Sequence, residues 1–245
     1  MIDVHSHILP GIDDGARDLE EALEMARLAV AEGIRIMVAT PHLFKRKIVD
    51  LEAINEKRVI LEHLDTFRDN LAVEGIALEI LPGCEVPLHP EALSLLAEDR
   101  VLTFNDGKRY LLLELPEFSL PPSLEDICFR LQCQGITPII AHPEKHPFIQ
   151  ERPDRLGRLV DLGCLAQLTA GSLTGDSGRK IARVSRQLVK KGYIHLLASD
   201  AHNLRHRPPQ LNKAVSALAK LVGPERARAM VTQIPQKIIR GEPVP

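Results

Sequence analysis

Short apolar runs alternate along the chain with longer segments whose apolar residues recur every three or four positions. Residues 2–4 form the first run, which ends in His5-Ser6-His7 and opens into a polar loop holding Gly11, Asp13, Asp14 and Gly15. Leu19, Leu23, Ala26 and Val30 then mark one face of a helix, with Gly33 placed to end it. Residues 34–39 read as a buried strand delivering Thr40-Pro41-His42. A long polar helix is expected over roughly 50–74, and the run 76–81 leads into Gly83-Cys84-Glu85. A short helix near 90–98 precedes the run 110–113, which ends at Glu114. The helix near 123–134 stops at Gly135, and 138–141 reaches His142. The helix near 153–162 stops at Gly163, and 165–168 runs into Thr169-Ala170-Gly171-Ser172. The helix near 177–191 stops at Gly192, and 193–198 delivers Ser199-Asp200-Ala201-His202. The remainder reads as two or three helices interrupted at Gly223-Pro224 and Pro235.

About seven strands, each followed by a helix or loop, predict βαβ units and a parallel sheet. The chain shows no internal repeat and no linker long enough to divide it. The expectation is one α/β domain over residues 1–245, built as a small closed or nearly closed barrel. The pattern alone leaves an open doubly wound sheet possible.

Composition narrows the function more than the fold. The 245 residues are 44% hydrophobic and 26% charged, ordinary values for a domain with a sizeable core. A net charge of −2 lacks the basic excess of a nucleic-acid binder. Aromatics at 3% with no tryptophan cannot supply a base-stacking platform, whereas aliphatic barrel layers tolerate that scarcity. Cys84, Cys128, Cys133 and Cys164 show no CxxC spacing, so they read as reduced thiols, most of them small core residues. Reduced thiols point to the cytoplasm. No apolar run approaches the roughly 20 residues needed to cross a bilayer, and the opening residues do not read as a signal peptide. The expected protein is therefore cytoplasmic and not membrane-embedded; the sequence sets no oligomeric state.

The strongest chemical signal is positional. Metal-binding side chains fall at the C-terminal ends of about six of the seven strands: His5 and His7, His42, Glu85, Glu114, His142, and Asp200 with His202. That end of a βα barrel carries the active site, because the βα loops converge there. His5 and His7, two apart on an extended segment, point to the same side. Histidines mixed with carboxylates suit zinc, manganese or iron better than magnesium, and eight candidate ligands suit two or three ions better than one. Any single piece has a plain alternative: paired histidines often half-bury on strands, and a lone strand-end glutamate is commonly solvated. Their shared register is what scattered structural residues have no reason to keep.

Other residues fall outside this register. His63 and His89 read as surface or packing residues, His195 as a satisfied mid-strand histidine, and His146 and His206 as rim residues. Lys45, Arg46, Lys47, Glu52, Glu56, Lys57 and Arg58 read as a solvated face, with Arg46 close enough to a ligand strand for a substrate contact. Ser172 and Thr174 read as capping the next helix rather than as substrate contacts.

The segments Asp-Val-His-Ser-His-Ile-Leu-Pro-Gly-Ile-Asp-Asp-Gly (3–15), Thr-Pro-His (40–42), Gly-Cys-Glu (83–85), Ala-His-Pro-Glu (141–144) and Ser-Asp-Ala-His (199–202) resemble the polymerase-and-histidinol-phosphatase (PHP) superfamily. The opening motif and the closing Ser-Asp-Ala-His-Asn with Arg-Pro-Pro look like the bacterial manganese-dependent tyrosine phosphatases, which act on the tyrosine kinases of capsule and exopolysaccharide assembly. The matching motifs run in order over residues 3 to 209. The resemblance implies a distorted (β/α)7 barrel holding three divalent ions, manganese by family precedent, though iron or zinc would fit the same ligands. One ion would take His5, His7, Glu85 and Asp200. A second would share Glu85 and add Glu114 and His142. A third would use Asp14, rather than Asp13, with His42 and His202. Arg207 would match an arginine that contacts the phosphate. The family commonly has an arginine where this chain has Lys145, which keeps the charge but not the bidentate fork.

The mechanism expected from this set is hydrolysis by a water acidified at the metals. Lys145 and Arg207 offset charge on the phosphate oxygens, and His202 or another site histidine acts as acid. No cysteine has an arginine six residues on, which removes cysteine-based tyrosine phosphatases. Three alternatives stand beside the phosphotyrosine reading: a phosphoesterase acting on a small molecule such as histidinol phosphate, a metal-dependent nuclease, and a non-catalytic phosphotyrosine-docking module.

Overall fold

The computed structural model describes residues 1–44, 54–116 and 120–244. Lys45, Arg46, Lys47 and Glu52 of the charged stretch lie outside the described residues.

Among the described residues, eight parallel strands form two sheets. The first holds β1 (Ile2–Ser6), β2 (Ile36–Ala39) and β3 (Glu79–Pro82). The second holds β4 (Glu85–Pro87), β5 (Tyr110–Glu114), β6 (Thr137–Ala141), β7 (Leu165–Thr169) and β8 (Leu196–Ala198). Backbone hydrogen bonds join the sheets at both margins. Between β1 and β8, the His7 N–H donates to Ala201 O (2.8 Å) and the Asp200 N–H to His5 O (2.9 Å). Beyond β2, the Glu85 N–H donates to Pro41 O (3.0 Å) and the Leu43 N–H to Glu85 O (3.0 Å).

The helices are α1 (Leu19–Ala31), α2 (Lys57–Val73), α3 (Pro90–Ala97), α4 (Leu124–Cys133), α5 (Pro147–Glu151), α6 (Asp154–Asp161), α7 (Ala170–Thr174), α8 (Arg179–Lys190), α9 (Asn212–Val222), α10 (Pro224–Ala229) and α11 (Gln233–Ile239). Local chemistry explains their limits. Asp18 caps α1 by accepting from the Glu21 N–H, and Gly33 follows it at φ +84°, where a side chain would be strained. α2 buries Ile60, Leu64, Phe67 and Leu71, a stripe of 4-3-4 spacing that packs onto the sheet.

Three expectations need correction. The third strand starts at Glu79 rather than 76, and a further short strand, β4, follows it; at Gly83 between them a Cβ would lie 2.8 Å from Val38 Cγ1. His195 precedes β8 instead of sitting mid-strand. Its own N–H pairs with Ala166 O (2.9 Å), but its Nδ1 accepts from the Ala166 N–H (3.1 Å), so the imidazole stands where a ladder carbonyl would. Thr174 does not cap α8, since it ends α7 and its hydroxyl donates to Asp176 Oδ2 (2.6 Å); Ser172 is buried within that same turn.

Strand periodicity sets where the polar groups arise. Tyr110 and Leu112, Ile139 and Ala141, Leu165, and Leu196 and Ala198 meet Ile2, Val4 and Val38 in one apolar cluster, closed at its base by Phe104, Ile238 and Ile239. The alternate strand residues face a larger cluster shared with the helices. Continuing by twos along the inner face reaches Glu114 on β5 and Gln167 on β7. The inner core is thus apolar at the strand starts and turns polar at their C-terminal ends. No helix of the described residues is long and apolar enough to cross a membrane.

Candidate metal centre

Every strand-end ligand expected from sequence arrives at the same place. Glu85 is central. Its Oε2 lies 3.4 Å from His5 Nε2, 3.3 Å from His7 Nε2 and 3.1 Å from His42 Nδ1, and its Oε1 lies 2.8 Å from His142 Nε2. Asp200 Oδ1 lies 3.5 Å from His5 Nε2 and 3.7 Å from His7 Nε2. Asp14 Oδ1 is 3.4 Å from both His42 Nε2 and His202 Nε2. Glu114 Oε2 is 3.9 Å from His42 Nδ1. Four groups have ligand atoms close enough to share an ion: His7 with Asp14, His42 and His202; His5 with His7 and Asp200; His5 with Glu85 and His142; and His42 with Glu85 and Glu114.

The backbone is bent to achieve this. A shift in register between Asp3 and Ser6 carries His5 and His7 over the strand ends. His142 and Asp200 both take left-handed backbone angles, φ 33° and φ 55°, conformations that cost energy in non-glycine residues and gather at functional sites. Gly15 folds the Asp-Asp loop against β1 so tightly that a Cβ would sit 2.0 Å from His7 O.

The donor set fits divalent metal. The Nδ1 of His5 faces Gln167 Oε1 (2.9 Å), that of His7 faces Asp13 Oδ2 (2.7 Å), and that of His202 faces the Asp200 carbonyl (2.9 Å). Each Nδ1–H therefore donates outward and leaves Nε2 as a lone pair turned inward, the usual arrangement of metal-binding histidines. His5 Nε2 and His7 Nε2 stand only 3.2 Å apart, and among the described residues buried His202 Nε2 has no hydrogen-bond partner. Two facing lone pairs repel unless a proton or a metal ion lies between them.

The electrostatics agree. Burial pushes the carboxyls of Glu85 and Asp200 upward, but His5, His42 and His142 around the first, and Lys145 with His5 around the second, hold both well below the usual range. Burial works to lower His7, yet the Asp13 and Glu85 carboxylates raise it well above its ordinary value. Burial and the neighbouring His7 lower His202 to about 4. The pocket concentrates ionised acids and attracts positive charge.

Lys145 and Arg207 stand at the edge of this cluster. The Lys145 ammonium bonds Asp200 Oδ2, and burial, which disfavours its charge, is outweighed by Asp200 and Glu144. Arg207 approaches Asp14 Oδ2 at 3.7 Å and Asp200 Oδ1 at 4.0 Å and remains half-exposed. Asn203 Oδ1 accepts from the N–H groups of Arg205, His206 and Arg207 (3.1, 2.7 and 3.2 Å), and this turn sets the Arg207 position.

The remaining expectations divide. His206 is exposed on that turn. His146 is buried away from the cluster, its Nε2 facing the Pro116 carbonyl at 2.8 Å. Asp13 orients His7 and accepts from the His42 N–H (2.9 Å), while Asp14 reaches the pocket. Gln167 and Asp3 were not foreseen. The first orients His5; the second is fully buried and accepts from the Ser199 N–H (3.0 Å) across the β1–β8 seam. A polar residue at an inward position of an apolar strand is the signal that could have found Gln167.

The comparisons with known proteins agree with this site. The family profile described as "Capsular polysaccharide synthesis, CpsB/CapC" matches residues 1–240. The chain belongs to the CpsB/CapC family. It is 38% identical over 248 residues to the tyrosine-protein phosphatase YwqE of Bacillus subtilis, covering 100% of this chain and 93% of that one. It is 32% identical to the tyrosine-protein phosphatase CpsB of Streptococcus pneumoniae, covering 98% of each. The crystallographic work on YwqE and CpsB, described as "unique metal-dependent tyrosine phosphatases", supplies a structure that superposes with a TM-score of 0.93 at 38% identity, covering 100% of this chain and 96% of the other. An Escherichia coli phosphotriesterase homology protein shares the fold alone, with a TM-score of 0.52 at 12% identity over 97% of this chain and 94% of that one.

Proposed function

We propose that the protein is a metal-dependent tyrosine phosphatase that removes phosphate from phosphotyrosine on a protein, with a bacterial tyrosine kinase of capsular or exopolysaccharide synthesis as its substrate. The observation that carries the reading is the set of three inward Nε2 lone pairs ringed by Glu85, Asp14 and Asp200 in a chain 38% identical to a tyrosine-protein phosphatase. The residues would hold three ions, manganese by family precedent. His5, His7, Glu85 and Asp200 would hold one, Glu85, Glu114 and His142 a second, and Asp14, His42 and His202 a third. The distances above support the first and third groupings; for the second they support His142 beside Glu85 and His5, and Glu114 beside Glu85 and His42. The convergence of β1, β2 and β5 to β8 on one inner apolar cluster, with sheets bonded at both margins, supports a distorted (β/α)7 barrel and a single domain over residues 1–245. The reading places the reaction in the cytoplasm, where ATP-dependent kinases phosphorylate tyrosine.

When bound, the divalent ions would supply Lewis-acid charge to the phosphate oxygens and acidify water at the site. The chain's own residues do the rest. Arg207, half-exposed beside Asp14 and Asp200, offers its guanidinium to the incoming phosphate. Lys145, anchored on Asp200, adds a second positive charge beside the developing negative one. His202, whose Nε2 faces Asp14 Oδ1 at 3.4 Å, would serve as a ligand, and it or another site histidine would be the acid for the leaving group. A phenolate leaves readily enough to need little help from an acid.

The test is phosphate release from a phosphotyrosyl peptide, a phosphoseryl peptide and histidinol phosphate, each with manganese, with chelator and with His5→Ala. Manganese-dependent release that favours phosphotyrosine and is lost in the variant is expected. Release from histidinol phosphate alone, or from no ester by metal-loaded protein, would overturn the reading.

A further inference from the structure

At the start of α1 and on α2 and α4, cations pair with acids one turn away: Arg17 meets Glu21, Arg58 meets Glu62 and Arg130 meets Asp126. α8 has no acid with which to form such a pair. Between residues 177 and 192 the chain holds six cations and no acid. All six are exposed. Among the described residues only Lys191 has an ion-pair partner, Asp154 at 2.8 Å; Arg179, Lys180, Arg183, Arg186 and Lys190 have none. The opposite face of α8 buries Ala182, Val184, Leu188 and Val189, so the helix cannot roll and its cationic side is a fixed outward feature.

Arg179, Arg183, Arg186 and Lys190 follow one another at spacings of four, three and four, a single line down the helix. At 1.5 Å per residue that line is about 16 Å long, the span of about five residues of extended chain. A depression of about 390 Å³ runs beside it, lined by Arg183, Arg186, Gln187, Lys190 and Lys191. Its direction follows from the topology. β7 ends at the metal pocket and β8 lies parallel to it, so α8 must lead away from the pocket, with Arg179 at the near end and Lys190 at the far end. α8 also packs against the 143–145 turn that carries Lys145.

We propose that this stripe docks an acidic segment of the protein whose phosphotyrosine enters the pocket, a proposal that rests on the phosphatase reading above. The charge is complementary to such a segment, and the line is continuous with the site. A depression suits a chain better than a flat lipid surface. None of the large apolar side chains exposed among the described residues (Leu19, Val73, Phe129, Leu162 and Leu204) lies on α8 to enter a bilayer. Exposed pairs contribute little to folding, so the stripe acts on encounter and KM, and salt weakens it.

The experiment compares phosphotyrosyl peptides carrying a run of Glu and Asp on either side of the phosphotyrosine with the same peptides carrying Gln and Asn. The protein is used as wild type and as the triple variant Arg183→Glu, Arg186→Glu, Lys190→Glu. At low salt the acidic run on one side should lower KM by about tenfold in the wild type, and the gap should vanish in the variant and in high salt. The kcat and the turnover of p-nitrophenyl phosphate should not change. Fluorescence anisotropy of the unphosphorylated acidic peptide reads the stripe even where no ester is hydrolysed, which separates this proposal from the phosphatase reading. Equal affinity for acidic and neutral peptides in the wild type overturns the proposal, as does a preference that survives the triple variant. Sedimentation with phosphatidylserine vesicles that depends on the stripe, without peptide preference, overturns it in favour of a membrane.

Discussion

Asp13 and Asp14 are neighbours with different work, and separating them tests the account of the centre. Three N–H groups end on the Asp13 carboxylate. His7 Nδ1 at 2.7 Å and the His42 N–H at 2.9 Å share Oδ2, and the Gly15 N–H at 3.0 Å meets Oδ1. In Asp13→Asn one oxygen becomes an NH2, and a donor then faces a donor. The less costly orientation keeps oxygen toward His7 and His42 and leaves Gly15 unsatisfied, a loss of about 1–3 kcal/mol for a buried group. His7 also loses a charged acceptor, which weakens its Nδ1–H bond and makes Nε2 a poorer donor to metal. Loss of such an orienting partner costs about 10–100-fold in metal affinity. Asp14→Asn instead weakens a carboxylate aimed into the pocket between His42 and His202. Manganese titration of the metal-free protein, followed by calorimetry and by bound-metal content, distinguishes the two. Asp13→Asn should bind the same number of ions more weakly, whereas Asp14→Asn should bind fewer. Affinity within twofold of wild type for Asp13→Asn, or loss of an ion in it and not in Asp14→Asn, would refute the assignment.

Two further outcomes follow from the packing. Burial, aided by Arg226, lowers His195 from 6.5 to about 4, so between those values the unfolded chain takes up a proton that the folded one refuses. Stability should therefore fall as pH drops from about 6.5 to about 4, by at most about 3 kcal/mol before solvent screening; His195→Gln should flatten that part of the Tm-against-pH curve, and an unchanged slope would contradict it. Gly15→Ala would place a methyl 2.0 Å from His7 O. It should cost more than 2 kcal/mol of stability in thermal melts and weaken metal binding with it, and a normal Tm would mean that the loop is free to shift.

The positions legible in sequence were those where a local rule and the tertiary structure agree. Helix ends read correctly because Gly33, Gly135, Gly163 and Gly192 each sit at positive φ. The strand-end histidines and carboxylates come together because parallel strands bring their C-terminal ends to one face. Readings failed where a contact distant in sequence decides. β4 begins beyond Gly83, which passes too close to Val38 to carry a side chain. His195 leaves the strand pattern because its ring bonds Ala166. Gln167 gained a role only through His5, 162 residues away. The α8 stripe was visible as composition but had no meaning until the topology gave it a direction.

The seam between β1 and β8 has a consequence for synthesis. Asp3 meets Ser199, and His5 meets Asp200, so the first strand cannot be completed until about two hundred residues have followed it from the ribosome. Until then His5 and His7 lack the Asp200 and His202 side chains that complete their surroundings, so any ion that needs both halves of the cluster would be held only after residues 200–202 have joined the first strand.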